Sequence, residues 1–195
     1  MVSYDVGIFG LFYNDRIGVI QQEQQDGAVK NFRTNVGDAV IYGMESLIDV
    51  NLNKVLLQNS KNTRFNWFAN TALVNSKYQN TDKEVEFVPN INFKTGMSFG
   101  YKNLVTSVQY SLLTDQFSDA DNSVDPNISG IIGVIPSYSI LDVSASYTYK
   151  MLKLETGVNN LLNESYFTQR ATGYPGPGII PSEPLTWYVT LQLQL

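Results

Sequence analysis

Apolar and polar residues alternate at every second position through much of the chain, and this period limits the fold more than any other feature. The clearest run is at the C-terminal end, where one face carries Trp187, Val189, Leu191, Leu193 and Leu195 and the other is polar apart from a tyrosine. Successive side chains of a strand point to opposite faces, so the pattern predicts strands with one apolar face. Amphipathic helical patterns are hard to find. The chain is therefore predicted to be all-β.

Similar runs occur along the whole chain, clean in the second half and noisier in the first. They are bounded by residues typical of turns. Together they predict about nine strands, at 2–13, 16–24, 38–52, 63–76, 92–101, 104–113, 137–149, 152–161 and 185–195.

The predicted connections alternate between short and long. The short ones are Asn14-Asp15, a moderate stretch from Asn53 to Asn62, Lys102-Asn103 and Lys150-Met151; the long ones are 25–37, 77–91, 114–136 and 162–184. Bacterial outer-membrane barrels have short periplasmic turns and long extracellular loops, whereas a soluble sandwich has no reason to sort its loops in this way. The sequence therefore predicts an antiparallel, up-and-down segment of a transmembrane β-barrel. Tyr147, Tyr149 and Trp187 are expected near the ends of its apolar faces, where an aromatic girdle lies.

The composition agrees with this interpretation. Charged residues make up 16% of the chain and aromatic residues 12%, while a water-soluble domain usually has about a quarter charged residues. No apolar run approaches the ~18 residues of a membrane helix. We expect strands with one face in lipid, although a soluble β-protein with a buried core would also fit.

Several functional classes are excluded or disfavoured by what the chain lacks. It has no cysteine and no histidine, which removes thiol nucleophiles, thiolate metal sites and His-based catalytic triads. The net charge is −5 without a basic stripe, so nucleic acid is not an expected partner. We expect no enzyme activity, no catalytic residues, no cofactor and no metal site.

The predicted strand count suggests that further strands are needed. Bacterial single-chain barrels close with even numbers of strands, and an open sheet in lipid leaves backbone groups unsatisfied. The alternative is a complete small barrel of eight or ten strands. The first residues show no signal peptide, so either it has been removed or the chain is the latter part of a longer protein.

Four segments resemble, in the right order, sequence motifs of TonB-dependent outer-membrane receptors. The most extended is Gly157–Phe167, GVNNLLNESYF, which resembles the "GvxNLfnxxY" signature before the last extracellular loop. The other three are Gly37–Glu45, similar to an "a-x-x-x-G-x-E" strand, Val88–Asn90, similar to "vP-x-h-x-x-n", and Pro136–Val143, similar to "Y-x-v-x-D-l". Each motif is weak alone, but together they extend over nearly the whole chain.

The resemblance, which is nearest to siderophore and ferric-dicitrate receptors, implies that residues 1–195 are the C-terminal part of such a receptor barrel. They would form the last nine of 22 strands, without the plug and N-terminal strands. It also implies a place in the outer membrane of a Gram-negative bacterium. The implied function is uptake of a ferric chelate, with outer-membrane lipid, the absent barrel and plug, and the TonB complex acting through the plug as partners. The chain ends at Leu195 instead of the aromatic residue usual in such barrels.

The last long connection contains the best candidate for ligand binding. It carries Gln169, Arg170 and Tyr174 beside a run rich in proline and glycine. Arginine can hold a carboxylate or a ferric chelate with two parallel hydrogen bonds, and tyrosine can stack or donate. The alternative is that Arg170 pairs with a carboxylate in the lumen and the prolines and glycines only shape the loop.

Two groups of carboxylates are further candidate sites. Glu45, Asp49, Asp142 and Glu155 lie on predicted inward faces and are interpreted as groups that solvate a wet lumen. Asp115, Asp119, Asp121 and Asp125 have a spacing loosely like a calcium loop but lack its glycine and its distant glutamate, so they are interpreted as a solvated extracellular loop. Besides the receptor and the small barrel, a soluble ligand-binding β-barrel with its apolar face inward stays open as an alternative.

Overall fold

The computed structural model describes residues 2–26, 28–57, 60–171 and 178–193 of the chain. Eight strands form one antiparallel sheet in which each strand pairs with its neighbours in chain order. They are β1 (Val2–Glu23), β2 (Val29–Asn51), β3 (Thr63–Tyr78), β4 (Ile91–Tyr101), β5 (Leu104–Leu113), β6 (Tyr138–Tyr149), β7 (Leu152–Asn159) and β10 (Thr186–Leu193), while β8 (Phe167–Arg170) and β9 (Ile179–Pro181) form a separate small hairpin. The sheet is open: no pairing joins β1 to β10 among the described residues.

The first two predicted strands are one strand, so the main sheet has eight strands where about nine were predicted. β1 pairs with β2 along its whole length, and Asn14-Asp15 is an irregularity at which the register shifts between Tyr13 and Arg16. Asp15 has a φ of 53°. A bulge and a hairpin turn both need residues that tolerate such a backbone, so the sequence signal for the two is the same.

The predicted loop at 25–37 is correspondingly wrong over most of its length. Residues 29–37 belong to β2 and continue the hairpin far beyond the other strands. The other six strands are as predicted to within a few residues. From β3 onward the connections alternate between long and short as predicted, whereas the first connection, 24–28, is shorter than the second, 52–62. The turns at Lys102 and Lys150 are the expected short ones, and both lysines have a φ of 50°, as tight hairpin turns require.

The moderate connection after β2 begins with α1 (Leu52–Leu56). The Asn51 side chain accepts a hydrogen bond from the Lys54 amide at 3.1 Å and so caps this single turn. No helix in the described ranges is long and apolar enough to cross a membrane.

The register assigns the side chains of the sheet to an apolar face and a polar face. One row across six strands on the apolar face is Trp67, Met97, Val108, Val143, Val158 and Trp187; the neighbouring row on the polar face is Asn66, Ser98, Ser107, Ser144, Gly157 and Tyr188. Trp187 is 73% exposed. The apolar face is thus exposed, with Tyr147 and Tyr149 at its end beside the turn that follows β6.

Buried residues are concentrated at the end of the sheet that carries the long connections. We call this region the loop layer and define it as residues 16–37 of the β1–β2 hairpin with the connections 79–90, 114–137 and 160–185, less 172–177. An apolar core lies where the loop layer meets the ends of β2 and β3: it contains Ala39, Tyr78, Val85 and Ala120, against which Ile20, Val36, Ile41 and Val88 pack.

Candidate functional site

A buried ion pair joins the first hairpin to the β3–β4 connection. Arg16 Nη1 donates to Glu86 Oε1 at 2.8 Å and to the Tyr78 hydroxyl at 2.6 Å. Tyr78 in turn donates to Glu86 Oε2 at 2.6 Å. The Glu86 side chain is 2% exposed, so its charge needs these partners.

The surroundings of this network shift the pKa values of Tyr78 and Arg16. Burial, with the hydrogen bond to the Glu86 carboxylate, raises the pKa of Tyr78 well above its usual value of 10.0. Burial alone would lower the pKa of Arg16, but its hydrogen bond to Glu86 and the charge of that group raise it overall. The network needs a glycine at position 18, because a Cβ on Gly18 would lie 2.7 Å from Val36 Cγ2 and 2.9 Å from the Tyr78 hydroxyl.

The β3–β4 and β5–β6 connections are joined to each other along their length. The amide of Glu84 donates to Asn122 Oδ1 at 2.6 Å, and Asn122 Nδ2 donates to the Glu84 carbonyl at 2.8 Å. Lys83 forms an exposed ion pair with Asp121 at 2.6 Å. The two connections therefore form one unit instead of two separate loops.

This unit also reaches the outer edge of β1. The Ala120 amide donates to the Val19 carbonyl at 3.0 Å, and the Val19 amide donates to Glu86 Oε1 at 3.3 Å. The backbone carbonyl and amide of Val19 thus both form hydrogen bonds with these two connections. A further strand paired with this edge would have to leave β1 below this point.

The acidic stretch is only partly the solvated loop that was expected. Asp115, Asp121 and Asp125 are exposed, but Asp119 is fully buried. Its Oδ1 accepts hydrogen bonds from the Asp121 amide at 2.8 Å and from the Ser123 hydroxyl at 3.3 Å. Asp119 shapes the turn of its own loop, and in the described residues no three acidic side chains converge as metal ligands.

Arg170 is buried at the base of the last connection. Its Nε and Nη2 donate to the Val134 carbonyl at 3.1 and 2.7 Å, and Nη1 donates to the Gly130 carbonyl. The guanidinium carbon lies 5.0 Å from the centre of the Phe167 ring, and burial lowers the pKa of the group. Its partners are backbone carbonyls of the β5–β6 connection and not the lumen carboxylate considered above, so Arg170 ties two connections together.

The other two candidate ligand residues are placed differently. Gln169 is exposed next to Arg170, whereas Tyr174 lies outside the described residues. Binding of a ligand by Gln169, Arg170 and Tyr174 stays a prediction.

Two of the sequence motifs meet at a junction where the last connection leaves the sheet. The Asn160 amide donates to Asp142 Oδ1 at 2.9 Å. The Asn160 side chain bonds both arms of the connection: Nδ2 donates to the carbonyls of Glu164 at 2.9 Å and Glu183 at 3.3 Å, and Oδ1 accepts from the Glu164 amide at 2.9 Å. Asn160 is 2% exposed and has a φ of 51°. The motif thus fixes the course of the connection that carries Arg170.

The four carboxylates predicted on the polar face, Glu45, Asp49, Asp142 and Glu155, lie apart on three strands. Glu45 shares recesses of the wall with Asp5, Asn70 and Lys94, while Glu155 pairs with Lys153 at 3.1 Å. Asp49 is four residues along β2 from Glu45, about 13 Å in an extended strand. This is the arrangement of a hydrophilic wall.

Sequence reasoning missed the roles of Arg16, Tyr78, Glu86 and Asn160. A signal existed for Glu86, which stands between Val85, Phe87 and Val88 in a short apolar stretch, since a charge in such a place is often paired. Nothing local marks Arg16 as its partner 70 positions away.

Comparisons with known proteins agree with the fold. Residues 4–161 match the protein-family model described as "TonB dependent receptor-like, beta-barrel". No curated protein matches the chain in a comparison of sequences.

Three solved structures illustrate the structural similarity, and each covers 98% of this chain. The ferric citrate transporter FecA in the unliganded form is 21% identical with a TM-score of 0.79. The copper transporter OprC is 17% identical with a TM-score of 0.73, and the ferric yersiniabactin uptake receptor FyuA from Yersinia pestis is 16% identical with a TM-score of 0.71. This chain spans 29%, 28% and 27% of those three chains, so it corresponds to less than a third of each.

Proposed function

This chain belongs to the TonB-dependent receptor β-barrel family, and we propose that it is part of an outer-membrane receptor that takes up an iron–siderophore or similar chelate by TonB-dependent active transport. The observation that carries the proposal is the family match over residues 4–161 on an open sheet. An open sheet in lipid needs further strands at its two edges. The solved structures with this fold are longer: this chain spans 29% of the FecA chain, which leaves room for such strands.

Residues 1–195 are then the C-terminal part of the barrel domain, and other segments of the receptor supply the remaining strands and a plug. The plug would contact the polar face and transmit the action of the TonB complex. The apolar face, with Trp187 at one end and Tyr149 at the other, would meet outer-membrane lipid. The short turns would lie in the periplasm and the loop layer outside the cell.

The loop layer is the place for first contact with the chelate. Gln169 is exposed there, and Arg170 holds its strand against the β5–β6 connection. We assign Gln169 and Tyr174 to direct contact with the chelate. Arg170 would act by fixing the loop that carries them.

Growth under iron limitation tests this function. The complete receptor gene that contains this chain is expressed in a Gram-negative strain that lacks its own chelate receptors. Growth on one or more ferric chelates, lost on deletion of TonB, is the expected result. Growth that is unaffected by loss of TonB, or no growth on any of a broad set of ferric chelates despite a correctly inserted receptor, would contradict the proposal.

One observation favours a second candidate, the complete small barrel. The sheet has eight strands and not nine, and eight is an even number that small outer-membrane barrels use. Boiled and unboiled samples of the chain in detergent distinguish the two on a denaturing gel. A shift on heating would show that the chain closes alone, while migration that does not depend on heating favours the larger receptor.

The soluble ligand-binding barrel is disfavoured by the burial pattern. In such a barrel the apolar face would line a closed interior. Here that face is exposed, at Ile8 85% and at Leu191 68%, while the polar face carries the recesses described above.

A further inference from the structure

We propose that the polar face holds a seat for a guanidinium or ammonium group, built around Asp142 and Tyr188. A recess of about 160 Å³ opens there, lined by Ser107, Gln109, Asp142, Val143, Ser144, Asn159 and Tyr188. It spans β5, β6, β7 and β10, so four neighbouring strands contribute to its walls. No lysine or arginine lines it.

The shape of the recess follows from Gly157 and Tyr188. The two residues are cross-strand partners. A Cβ on Gly157 would lie 2.5 Å from Tyr188 Cε1 and 2.7 Å from its hydroxyl oxygen, so the tyrosine ring lies back across β7 over the glycine. An aromatic ring is therefore held at one side of the recess, on the same face as Ser144, the partner of Gly157 on β6.

The chemistry of the recess favours a cation. Asp142 is half-buried and forms no ion pair within the described ranges. One of its oxygens accepts the Asn160 amide, which leaves the second for the recess. The Ser107 and Ser144 hydroxyls are 2.7 Å apart and share one hydrogen bond, so their remaining capacity, with the amide oxygens of Gln109 and Asn159, adds acceptors.

The same residues favour a nitrogen cation over a metal ion. Only one carboxylate faces the recess, and no group of three acidic ligands occurs in the described part of the chain. Several neutral acceptors and an aromatic ring suit N–H donors, since guanidinium and ammonium groups bind carboxylates by charge-assisted hydrogen bonds and lie on aromatic rings. The volume fits the planar end of an arginine side chain better than a bare ion.

Asp142 also connects the seat to the loop layer. Its carboxylate holds Asn160, which holds both arms of the last connection. A cation in the recess therefore bonds the same carboxylate that anchors the connection carrying Arg170. The amide of Asn160 is consequently a direct reporter of occupancy.

The source of the cation rests on the proposed function, whereas the seat itself does not. If the polar face lines the lumen of a receptor, the group comes either from a basic side chain of a segment that fills the lumen or from a cationic group of the cargo. Both sources present the same chemistry. The test below separates them after it has tested the seat.

The experiment titrates the 195-residue chain in detergent micelles with methylguanidinium and follows the ¹⁵N-labelled Asn160 amide by NMR. Methylurea, a neutral compound of similar shape, is the reference ligand. We expect a saturable shift with methylguanidinium and none at equal concentrations of methylurea. Asp142→Asn keeps an acceptor for the Asn160 amide but removes the charge, and it should weaken binding about 10-fold, the loss of one charge-assisted contact.

Glu155→Gln is the matched control, because Glu155 lies on the same face and is already paired with Lys153; it should leave the affinity unchanged. Should Asp142→Asn disturb the fold, Tyr188→Leu removes the opposite wall and should also weaken binding. A shift that is linear in concentration, that methylurea reproduces, or that both variants retain would overturn the proposal.

The source is then found by repeating the titration on the complete receptor. Loss of the methylguanidinium response there means that a side chain of the receptor already fills the seat, and a retained response means that the seat is open to cargo. Either result leaves the seat in place. Failure of the uptake assay would bear on the proposed function alone.

Discussion

The sheet and the loop layer are stabilised in different ways, although they belong to the same strands. The sheet exposes its large apolar side chains, such as Met97 at 51% and Leu191 at 68%, and is held by its ladder of backbone hydrogen bonds. The loop layer, together with the strand ends that it contacts, has an apolar core and a buried ion pair. Among the described residues, every buried side chain except that of Asn53 lies in the loop layer or at the strand ends beside it, and the other buried positions of the sheet are the glycines Gly96, Gly100 and Gly157.

The difference shows which solvent each region is suited to. A face of exposed apolar residues is stable where lipid covers it, because lipid takes the place of a protein core. The loop layer instead buries its apolar groups as a water-soluble domain does. A change in one region should therefore leave the other nearly intact, and the following predictions test that separation.

The largest effect is expected from Arg16→Met. It leaves the Glu86 carboxylate buried without its cation, which costs about 3–5 kcal/mol. Hydrogen exchange should accelerate in 79–90 and 114–137, while amides in the centre of β4 to β7 stay protected. Arg16→Lys keeps a charge at the position and should retain most of the protection; equal losses in both regions would mean that loop layer and sheet unfold together.

The next effect is expected in the sheet, from Val108→Lys on the apolar face. A lysine at the middle of a lipid-facing strand costs about 2–4 kcal/mol. The neighbouring Gln109→Lys places the same charge on the polar face and should cost much less. Folding measured in lipid vesicles compares the two, and equal destabilisation would show that the apolar face does not meet lipid.

A smaller effect is expected from Asn160→Gly. Glycine keeps the positive φ and the amide bonded to Asp142, but it removes the three side-chain hydrogen bonds, at about 2 kcal/mol. The last connection should become more sensitive to proteases, with the β1–β2 hairpin unchanged. Asn160→Ala adds backbone strain and should be worse; the opposite order would place the main role of Asn160 elsewhere.

The smallest effect at neutral pH concerns Tyr78. Its pKa is raised by burial and by the bond to Glu86, so the stability that its protonated form contributes is complete below pH 10 and is lost as the pH rises above it. Protection of the loop layer should fall in alkaline buffer and the sheet should be unaffected. Tyr78→Phe should abolish this pH dependence, and a fall that persists in the variant would assign it to another group.

The two regions also differ in how far they follow from the sequence. Six strands, the turns at Lys102 and Lys150 and the identity of both faces follow from a two-residue period and from local turn chemistry, which depend on neighbours in the chain. The errors at Asn14-Asp15 and at 29–37 arose because a bulge and a turn use the same residues. Their difference lies only in whether a partner strand continues past them.

The sequence by itself determined the all-β class, the faces of the sheet, the alternation of long and short connections from β3 onward and the family resemblance. Only the tertiary structure decided that Arg16 pairs with Glu86, that Asp119 is buried, that Arg170 holds carbonyls of another connection and that Asp142 bonds Asn160. The physical reason is the separation along the chain of the residues that interact. Strand periodicity is a local property of the chain, whereas the contacts of Arg16, Arg170 and Asp142 join residues between 18 and 70 positions apart. Their partners, and the burial of Asp119, depend on the way the connections fold over the end of the sheet.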